Sequence, residues 1–492
     1  MNRTDGDKEK LLYFFREISK IPRESGNEEQ IGKYLEDFAQ KRGLWCYRDE
    51  LHNVVIKKGG SKGAEDLPPV MLQGHTDMVC EKRREVKHDF AREGISLVEE
   101  DGLLKADGTT LGADNGAAIA AMLAVLDDGA LIHPPLECVF TAQEEVGLIG
   151  ANGLDKSLIQ ARTMINMDSE EEGKATVSCA GGLHLELIRP ANWERQTGTL
   201  LRLEISGLMG GHSGMDIGKE RQNANRLMAR LIHPFLEAPE GTKREGKFQG
   251  RLANFQGGDK ENAIPRECAA ALIFARSEEA EQAKEFCKTK IRMLQEELSG
   301  EEPGFTCQVT VEQEKEGPVL SAEDGRAFVE AVYLAPNGVQ KRSLSLEGFV
   351  VASTNLAAAR TEEESLRIIF SPRSSVDSIQ EEIKEKLTVL GAVFGFAAEI
   401  SGVYPGWAYR EDSRIRRIFQ ESYQALFGKE LKIEGIHAGL ECGLFCQAIP
   451  ELDCIAVGPD IRNCHTPEES LSLESFERFY RLIRDVLKRL TS

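Results

Sequence analysis

Short apolar segments alternate with amphipathic segments along roughly the first 180 residues, and this alternation limits the folds that the chain can adopt. Residues 54–56, 69–72, 136–141 and 163–167 have the length and composition of buried strands, whereas the Ala-rich residues 115–126 are long enough for a helix. Strands that alternate with helices are typical of a layered α/β domain. We therefore expect an α/β fold.

The pattern changes near Gly181. Longer alternating strands and amphipathic helices follow it, at about 183–187, 201–205, 219–236 and 277–298. Short buried strands and a helix return in the last ninety or so residues. A chain of 492 residues also exceeds the usual size of one hydrophobic core. We expect one domain formed by residues 1–182 and 399–492, interrupted by an inserted domain at 183–398.

The composition excludes several classes of function. The chain carries 61 Lys and Arg against 81 Asp and Glu, a formal charge of -20, which disfavours nucleic acid and anionic membranes as partners. No apolar signal region follows the polar N-terminus, and the longest apolar run, 117–126, is too short to cross a bilayer. Eleven cysteines without a repeated spacing, Cys442 and Cys446 among them, favour free thiols in a cytoplasmic protein.

Polar residues with metal-binding chemistry lie at the ends of several predicted strands. His75 follows an apolar strand, and Asp77 lies two positions further on, where it can orient the imidazole from behind. Glu144 and Glu145 follow the strand at 136–141, and Asp168 follows the strand at 163–167. A His-x-Asp pattern or a glutamate pair is weak by itself.

Two further groups complete the set. Asp114 lies between glycines at the start of the Ala-rich helix, a position that taken alone is typical of a helix N-cap. His465 lies in a loop after the short strand at 455–457. Together with the strand-end acids, these residues indicate a metal centre, because sheets of this kind place their sites at the carboxyl ends of strands.

The charges of such a cluster require cations. Without them, Asp114, Glu144, Glu145 and Asp168 would repel one another. Two divalent ions supply +4, three carboxylate ligands return -3, and a hydroxide completes neutrality. Nitrogen from two histidines favours zinc over magnesium or calcium.

Nine segments resemble a known family, the co-catalytic zinc peptidases related to aminoacylase and glutamate carboxypeptidase. In chain order they are GHTDMV, LGADNGAA, AQEEVGLIGA, INMDSEE, GGHSGMDI, KENAIPRE, FSPRSS, HAGLECG and CHTPEE. The resemblance covers nearly the whole chain. It implies a catalytic domain with a central mixed sheet flanked by helices, interrupted by an inserted α+β lid domain.

The resemblance also implies roles for the metal-site residues. Asp114 would bridge two ions, with His75 and Asp168 completing one site and Glu145 and His465 the other. Glu144 would be the general base, and Asp77 would orient His75. The implied reaction is metal-assisted hydrolysis of unblocked dipeptides, Xaa-His among them, with zinc, manganese or cobalt as the metal.

Four residues outside the metal set carry expectations from the same resemblance. His212, in a glycine-rich segment, would donate to the oxyanion when the lid closes, although taken alone it is an ordinary loop histidine. Asn262 and Arg373 would hold the substrate carboxylate, for which the bidentate geometry of arginine is suited. His437 would contact substrate.

Two alternatives remain open at this point. The chain could instead be an N-acyl amino acid deacylase of the same family, or a non-catalytic metal-binding protein that keeps the fold. The lid size and the HAGLECG segment favour a dipeptidase, and the intact Glu144 argues against a purely structural metal site. The sequence also leaves open a homodimer formed through the lid domain.

Overall fold

The computed structural model describes residues 3–236 and 248–492. Their contacts divide the chain into two compact units. The first unit consists of residues 1–179, 407–435 and 440–492, and the second consists of residues 180–406 and 436–439. The predicted insertion, 183–398, falls inside the second unit. None of the described helices is long and apolar enough to cross a membrane.

The helices that the structure describes follow one another in this order: α1 Arg3–Ser19, α2 Glu29–Lys41, α3 Ala113–Asp127, α4 Ile149–Gly153, α5 Ala224–Ile232, α6 Ser277–Glu297, α7 Ala322–Leu334, α8 Asp377–Val393, α9 Arg414–Phe427, α10 Cys442–Ala448 and α11 Leu473–Arg489. Short 3-10 turns lie at Lys156–Leu158, Ile217–Lys219 and His233–Phe235.

The described strands are β1 Trp45–Arg48, β2 Val54–Lys58, β3 Val70–His75, β4 Leu97–Glu100, β5 Leu103–Ala106, β6 Leu136–Thr141, β7 Thr163–Asn166, β8 Lys174–Cys179, β9 Gly181–Pro190, β10 Trp193–Ser206, β11 Gly211–His212, β12 Gly250–Gly257, β13 Ala263–Ile264, β14 Cys268–Phe274, β15 Thr306–Leu320, β16 Gly338–Arg342, β17 Val350–Thr361, β18 Ser365–Ser374, β19 Ala397–Tyr404, β20 Lys432–Ile436, β21 Asp453–Ala456, β22 Ile461–Arg462 and β23 Ser470–Ser472.

The first unit contains a mixed sheet of eight strands in the order β1-β2-β6-β3-β7-β21-β8-β20. Strands β6, β3, β7 and β21 are mutually parallel, whereas β1 pairs antiparallel with β2, β2 with β6, and β8 with β21. All residues of β3 and β6 are buried, which explains why they read as continuous apolar runs rather than alternating ones. The predicted mixed sheet flanked by helices is confirmed.

Helix α3 lies unusually close to β3. It packs against α1, α11 and β3, and residues 115–126 are buried on every side. A Cβ atom on Gly74 would lie 2.4 Å from Oδ1 of Asn115 and 2.8 Å from the Cβ of Ala118. Glycine at position 74 therefore permits the close approach that brings the start of α3 to the end of β3.

The second unit contains a nine-stranded antiparallel sheet in the order β15-β10-β14-β12-β17-β18-β9-β19, with β16 added on β17. Its core includes residues from α5, α6, α7 and α8, packed against apolar side chains of the sheet. This is an α+β arrangement, in which helices cover an antiparallel sheet.

One predicted helix, 219–236, is shorter than expected. The α-helix begins at Ala224, because the side chain of Asn223 accepts hydrogen bonds from the backbone N–H groups of Asn225 and Arg226 and so caps it. It gives way at His233 to a short 3-10 turn whose second residue is Pro234.

Candidate metal centre

Three neighbouring parallel strands end at one edge of the first unit's sheet. Strand β3 runs parallel to both β6 and β7, with His75 opposite Thr141. His75 is the last residue of β3. Glu144 and Glu145 follow β6 closely, and Asp168 lies two residues beyond β7. The topology of the sheet therefore gathers these side chains, because the carboxyl ends of parallel strands meet at the same edge.

The Asp114 carboxylate lies between two imidazole rings. Its Oδ1 is 3.0 Å from Nε2 of His75, and its Oδ2 is 3.2 Å from Nε2 of His465. Asp168 Oδ1 lies 3.5 Å from the same His75 nitrogen. Glu145 Oε1 lies 3.0 Å from the same His465 nitrogen. The site thus contains two donor sets, each with one imidazole and two carboxylates, which share Asp114.

These donor sets suit divalent cations. His75, Asp114 and Glu145, which are drawn from both sets, each offer a ligand atom, and the three atoms lie within 4.8 Å of one another. The His75 side chain is 1% exposed, whereas that of His465 is 48% exposed. The imidazole of the first donor set is therefore buried, and that of the second faces solvent. Imidazole nitrogen with carboxylate oxygen is a ligand combination of zinc and related metals, and an open side leaves room for a substrate.

Asp77 fixes the residues around it. Its Oδ1 lies 3.3 Å from Nδ1 of His75 and accepts the N–H of Glu144 at 3.0 Å. Its Oδ2 accepts the N–H of Glu145 at 3.2 Å and the hydroxyl of Ser25 at 2.8 Å. Burial opposes ionisation of Asp77, but these contacts, that of His75 first, lower its pKa to about 2. The ionised carboxylate of Asp77 therefore holds both the imidazole of His75 and the backbone of Glu144 and Glu145.

Burial and mutual repulsion shift the ionisation of the whole cluster. Burial and the neighbouring Asp168 charge raise the pKa of Glu144 well above its ordinary value. Burial likewise raises the pKa of Asp168, although the charge of His75 opposes it. Burial disfavours the charged form of His75, yet the Asp168 charge and a hydrogen bond with Asp114 raise its pKa well above the ordinary value. Hydrogen bonds with Asp114 and a second carboxylate raise the pKa of His465 to about 10.

Asp114 does not cap helix α3. The residue before the helix is Gly112, which has a left-handed φ of 69° and no side chain with which to cap the helix. Asp114 itself has non-helical angles, φ -80° and ψ 106°, and its carboxylate contacts the imidazoles instead. Its neighbour Asn115 donates through Nδ2 to Asp168 Oδ1 at 2.8 Å and to the Met167 carbonyl at 3.1 Å. The interpretation of Asp114 as a helix N-cap is therefore wrong, and the non-helical backbone at Asp114 instead directs its carboxylate to the imidazoles.

A buried glutamate that the sequence analysis did not identify lies beneath the centre. Oε2 of Glu441 accepts hydrogen bonds from Nε2 of Gln73 at 2.5 Å and from the hydroxyl of Thr141 at 2.7 Å. These two residues belong to the strands that end at the site. Burial raises the pKa of Glu441 to about 7. Within its segment, HAGLECG, the sequence analysis assigned a role to His437 and none to Glu441.

Two more buried residues escaped the sequence analysis, Arg23 and Glu469. Arg23 donates to backbone carbonyls of the segments that carry His75 and Asp114, and Glu469 accepts from four backbone N–H groups at residues 111–114. Glu469 lies in the segment singled out for His465, but nothing in the pattern separates it from a solvated acid. Arg23 carries no recognisable signal at all.

The second unit contains the remaining predicted residues. Nδ1 of His212 accepts the backbone N–H groups of Gly214 and Met215, each at 3.1 Å. Burial and the charge of Arg373 lower the pKa of His212. The imidazole is therefore neutral at pH 7 with its proton on Nε2, because Nδ1 is occupied as an acceptor. It can donate only through Nε2.

Asn262, Arg373 and His437 lie near His212 within this unit. The carbonyl of Asn262 accepts the N–H of Ser213 at 2.8 Å, and its side chain is exposed. Arg373 donates to the hydroxyl of Tyr404 at 3.0 Å, while its Nε has no hydrogen-bond partner in the described part of the chain. His437, which the sequence analysis assigned to the C-terminal part of the first domain, belongs to the second unit.

The His437 side chain is buried in the second unit. Burial and the positive charge of Arg373 lower its pKa to about 4, and its Nε2 lies 2.8 Å from the Ser353 hydroxyl.

All eleven cysteines, Cys442 and Cys446 included, are free, as expected for reduced thiols.

Comparison with known proteins identifies relatives for nearly the whole chain. The model of peptidase family M20/M25/M40 matches residues 71–489. The cytosol non-specific dipeptidase of Escherichia coli is 36% identical over 488 residues, which cover 98% of this chain and 97% of the relative. An acetylornithine deacetylase of Myxococcus xanthus is 29% identical over 58% of this chain and 70% of its own length.

Among solved structures, the aminoacylhistidine dipeptidase of Vibrio alginolyticus superimposes with a TM-score of 0.89. It is 34% identical, and the match covers 98% of this chain and 96% of that one.

The ionisation of the metal-free site predicts that cation binding releases protons. Because the pKa of His465 is about 10, its imidazole is charged at pH 8, and a cation requires the neutral ring. Calorimetric titration with Mn²⁺ at pH 8 in two buffers of different ionisation enthalpy should show at least one proton released per chain, and fewer in His465→Gln. Affinity should rise with pH, since the competing proton is lost as the pH approaches 10. A binding heat that is independent of the buffer would contradict this prediction.

Proposed function

This chain belongs to peptidase family M20/M25/M40, and we propose that it is a metal-dependent dipeptidase that hydrolyses unblocked dipeptides, Xaa-His among them. The observation that carries the proposal is the Asp114 carboxylate, whose two oxygens face imidazoles from different segments of the chain. Relatives of 36% and 34% identity over nearly the full length, both named as dipeptidases, support the same substrate class.

In this proposal Asp114 would be shared by two cations. His75 and Asp168 would complete one set of ligands, and Glu145 and His465 would complete the other, as their distances from Asp114 and from one another favour. Two neutral imidazoles among the ligands favour zinc, with manganese and cobalt as alternatives. When bound, the ions polarise the peptide carbonyl and lower the pKa of the attacking water.

Glu144 is the general base of the proposed reaction. It lies beside the ligands, and no donor among the described residues is hydrogen-bonded to its carboxylate, so the carboxylate is free to accept a proton. Burial and the Asp168 charge raise the pKa of Glu144. Its role in the proposed reaction is to take a proton from water and return it to the leaving amine. Asp77 contacts both the backbone N–H of Glu144 and the ring of His75, and so fixes their positions relative to each other.

The second unit supplies the proposed substrate contacts. His212, a neutral donor through Nε2, is suited to stabilise the developing oxyanion. Arg373, whose Nε is unpaired within the described chain, and the exposed amide of Asn262 are suited to bind the substrate carboxylate. His437 is the fourth proposed contact. We propose that this unit acts as a lid; a homodimer formed through it, and the cytoplasmic location suggested by the cytosolic relative, stay predictions.

One alternative keeps support from a specific finding. The similarity to an acetylornithine deacetylase extends over 58% of the chain, and such an enzyme would use the same cations on a different amide. The dipeptidase is favoured because its relatives match the chain over almost its entire length.

Activity should depend on metal and should prefer dipeptides. Dialysis against a chelator should abolish hydrolysis, and Zn²⁺, Mn²⁺ or Co²⁺ should restore it, because the ions activate the water. A panel that compares Xaa-His dipeptides with N-acetyl amino acids should show hydrolysis mainly of the former. Preference for the acetylated substrates would support the deacylase. Full activity of the metal-free protein, or no hydrolysis of either class by the metal-loaded one, would contradict the function itself.

The neighbouring glutamates offer a matched pair of variants. Glu144→Gln should keep both cations and lose about 10²- to 10⁴-fold in kcat, since only proton transfer is removed. Glu145→Gln should weaken cation binding on the His465 side. Metal content and steady-state kinetics measured on both variants decide the assignment. Loss of a cation from Glu144→Gln with normal binding by Glu145→Gln would reverse the two roles.

His212 should affect the reaction without affecting the cations. His212→Ala should keep its metal content, change KM little and lower kcat about 10²- to 10³-fold, because an oxyanion contact forms mainly in the transition state. His233→Ala, in the same unit, is the control: its ring stacks on Tyr333 with centroids 5.0 Å apart, so the change should leave kcat and metal content as in wild type whatever its effect on stability. Near-normal kcat in His212→Ala would remove this residue from the reaction, and a loss of metal would mean that it is a ligand.

A further inference from the structure

The segment that carries Asp114 is held by a single buried carboxylate. Glu469, 2% exposed, lies between β22 and β23. Its Oε2 accepts the N–H groups of Leu111 and Gly112, each at 2.8 Å, and its Oε1 accepts those of Ala113 at 2.7 Å and Asp114 at 3.2 Å. All four acceptor positions of the ionised carboxylate are thus used by consecutive amides.

The four amides favour the ionised form of Glu469, because a protonated carboxyl would present an O–H to one of the N–H donors and lose that contact. Burial acts in the opposite direction and raises the pKa of Glu469. The start of a helix also carries unsatisfied N–H groups and a partial positive charge, both of which favour a carboxylate there. Because Asp114 is itself one of the four donors, the position of its backbone depends directly on Glu469.

Arg23 holds the other side of the same segment. This buried side chain donates through Nη2 to the Gly112 carbonyl at 2.5 Å, and through Nη1 to the carbonyls of Thr76 and Asp77, each at 3.1 Å. It therefore ties the segment that bears Asp114 to the segment directly after His75. A Cβ atom on Gly112 would lie 2.5 Å from Nη2 of Arg23, so a larger residue would displace this contact.

The loop that supplies Glu469 also supplies His465. His465 contacts Oδ2 of Asp114 with its ring, and four residues later Glu469 holds the Asp114 backbone. One loop therefore sets both the position of the bridging carboxylate and the position of one imidazole that faces it.

We propose that Glu469 and Arg23 are positioning residues of the reaction, which fix the orientation of the Asp114 carboxylate between His75 and His465. This inference rests on the proposed two-cation function. Neither residue touches the donor atoms. The effect of Glu469 passes through the backbone of Asp114, and that of Arg23 passes through the carbonyls that flank Asp114 and His75. A residue that only stabilised the fold would alter the free energy of unfolding and leave the cation site unchanged.

The test compares two buried glutamates of the first unit. Glu469→Gln keeps the side-chain shape but replaces one acceptor oxygen with an N–H₂ group that faces backbone donors. The matched control is Glu137→Gln. Glu137 is also 2% exposed and accepts two backbone N–H groups, those of Gln160 and Ala161, each at 2.9 Å. It lies near the start of β6, whereas the site lies beyond the end of that strand.

Each metal-free variant is titrated with Co²⁺, and affinity, absorption spectrum, thermal unfolding and dipeptide kinetics are measured. Loss of such a supporting contact typically costs about 10- to 100-fold in metal affinity or activity. In Glu469→Gln, cobalt affinity or kcat should fall by about that factor, with a changed cobalt spectrum and little change in KM. Glu137→Gln should lower thermal stability alone. Arg23→Lys, which cannot reach three carbonyls with one planar group, should resemble Glu469→Gln.

Several results would overturn the proposal. One is wild-type cobalt binding and kcat in a folded Glu469→Gln; another is a fall in kcat with an unchanged cobalt spectrum and affinity, which would locate the effect away from Asp114. If Glu469→Gln fails to fold, Arg23→Lys decides by the same readouts, and failure of both while Glu137→Gln folds would assign them to folding alone. The cobalt titration needs no substrate. A wild-type protein that binds Co²⁺ but cleaves no dipeptide would therefore contradict the proposed function and not this inference.

Discussion

Repulsion among buried carboxylates is the constraint on which the rest of this structure depends. Asp114, Glu144, Glu145 and Asp168 converge at one edge of a sheet, where little water screens their charges. Burial and neighbouring negative charge raise the pKa of both Glu144 and Asp168, so the cluster resists full ionisation when no cation is present. Two imidazoles that face opposite oxygens of Asp114 would provide the remaining ligands of the proposed centre. Such an arrangement is costly without cations, and two cations would complete it for hydrolytic chemistry.

The fold holds these mutually repelling carboxylates in place mainly through contacts to the backbone, and not through additional charged side chains. Parallel strands β3, β6 and β7 place the proposed ligands at a common edge, and the close approach of α3 at Gly74 brings Asp114 to that edge. Two further carboxylates then accept backbone N–H groups: Asp77 from the glutamate segment and Glu469 from the Asp114 segment. Because these acceptors hold the main chain, they orient the proposed ligand side chains through the backbone.

The sequence predicts the parts of this arrangement that depend on local pattern. The apolar runs of β3 and β6 identify buried strands, and acids placed directly after them identify a site edge. The helix predicted at 219–236 is longer than the observed one, because Asn223 caps a helix that begins at Ala224. Apolar periodicity does not reveal where such a cap lies. Glu469 and Arg23 could not be predicted, since they act on backbone groups that lie more than fifty residues away in the chain. Only the folded chain brings such partners together.

The most direct test of the account is the magnetic state of the protein loaded with two equivalents of Mn²⁺. If Asp114 bridges both cations, electron paramagnetic resonance should show a spin-coupled Mn²⁺ pair, and Asp114→Asn should weaken or abolish that signal. Uncoupled Mn²⁺ ions at full occupancy, or saturation at a single equivalent per chain, would contradict the two-cation centre and the account built on it.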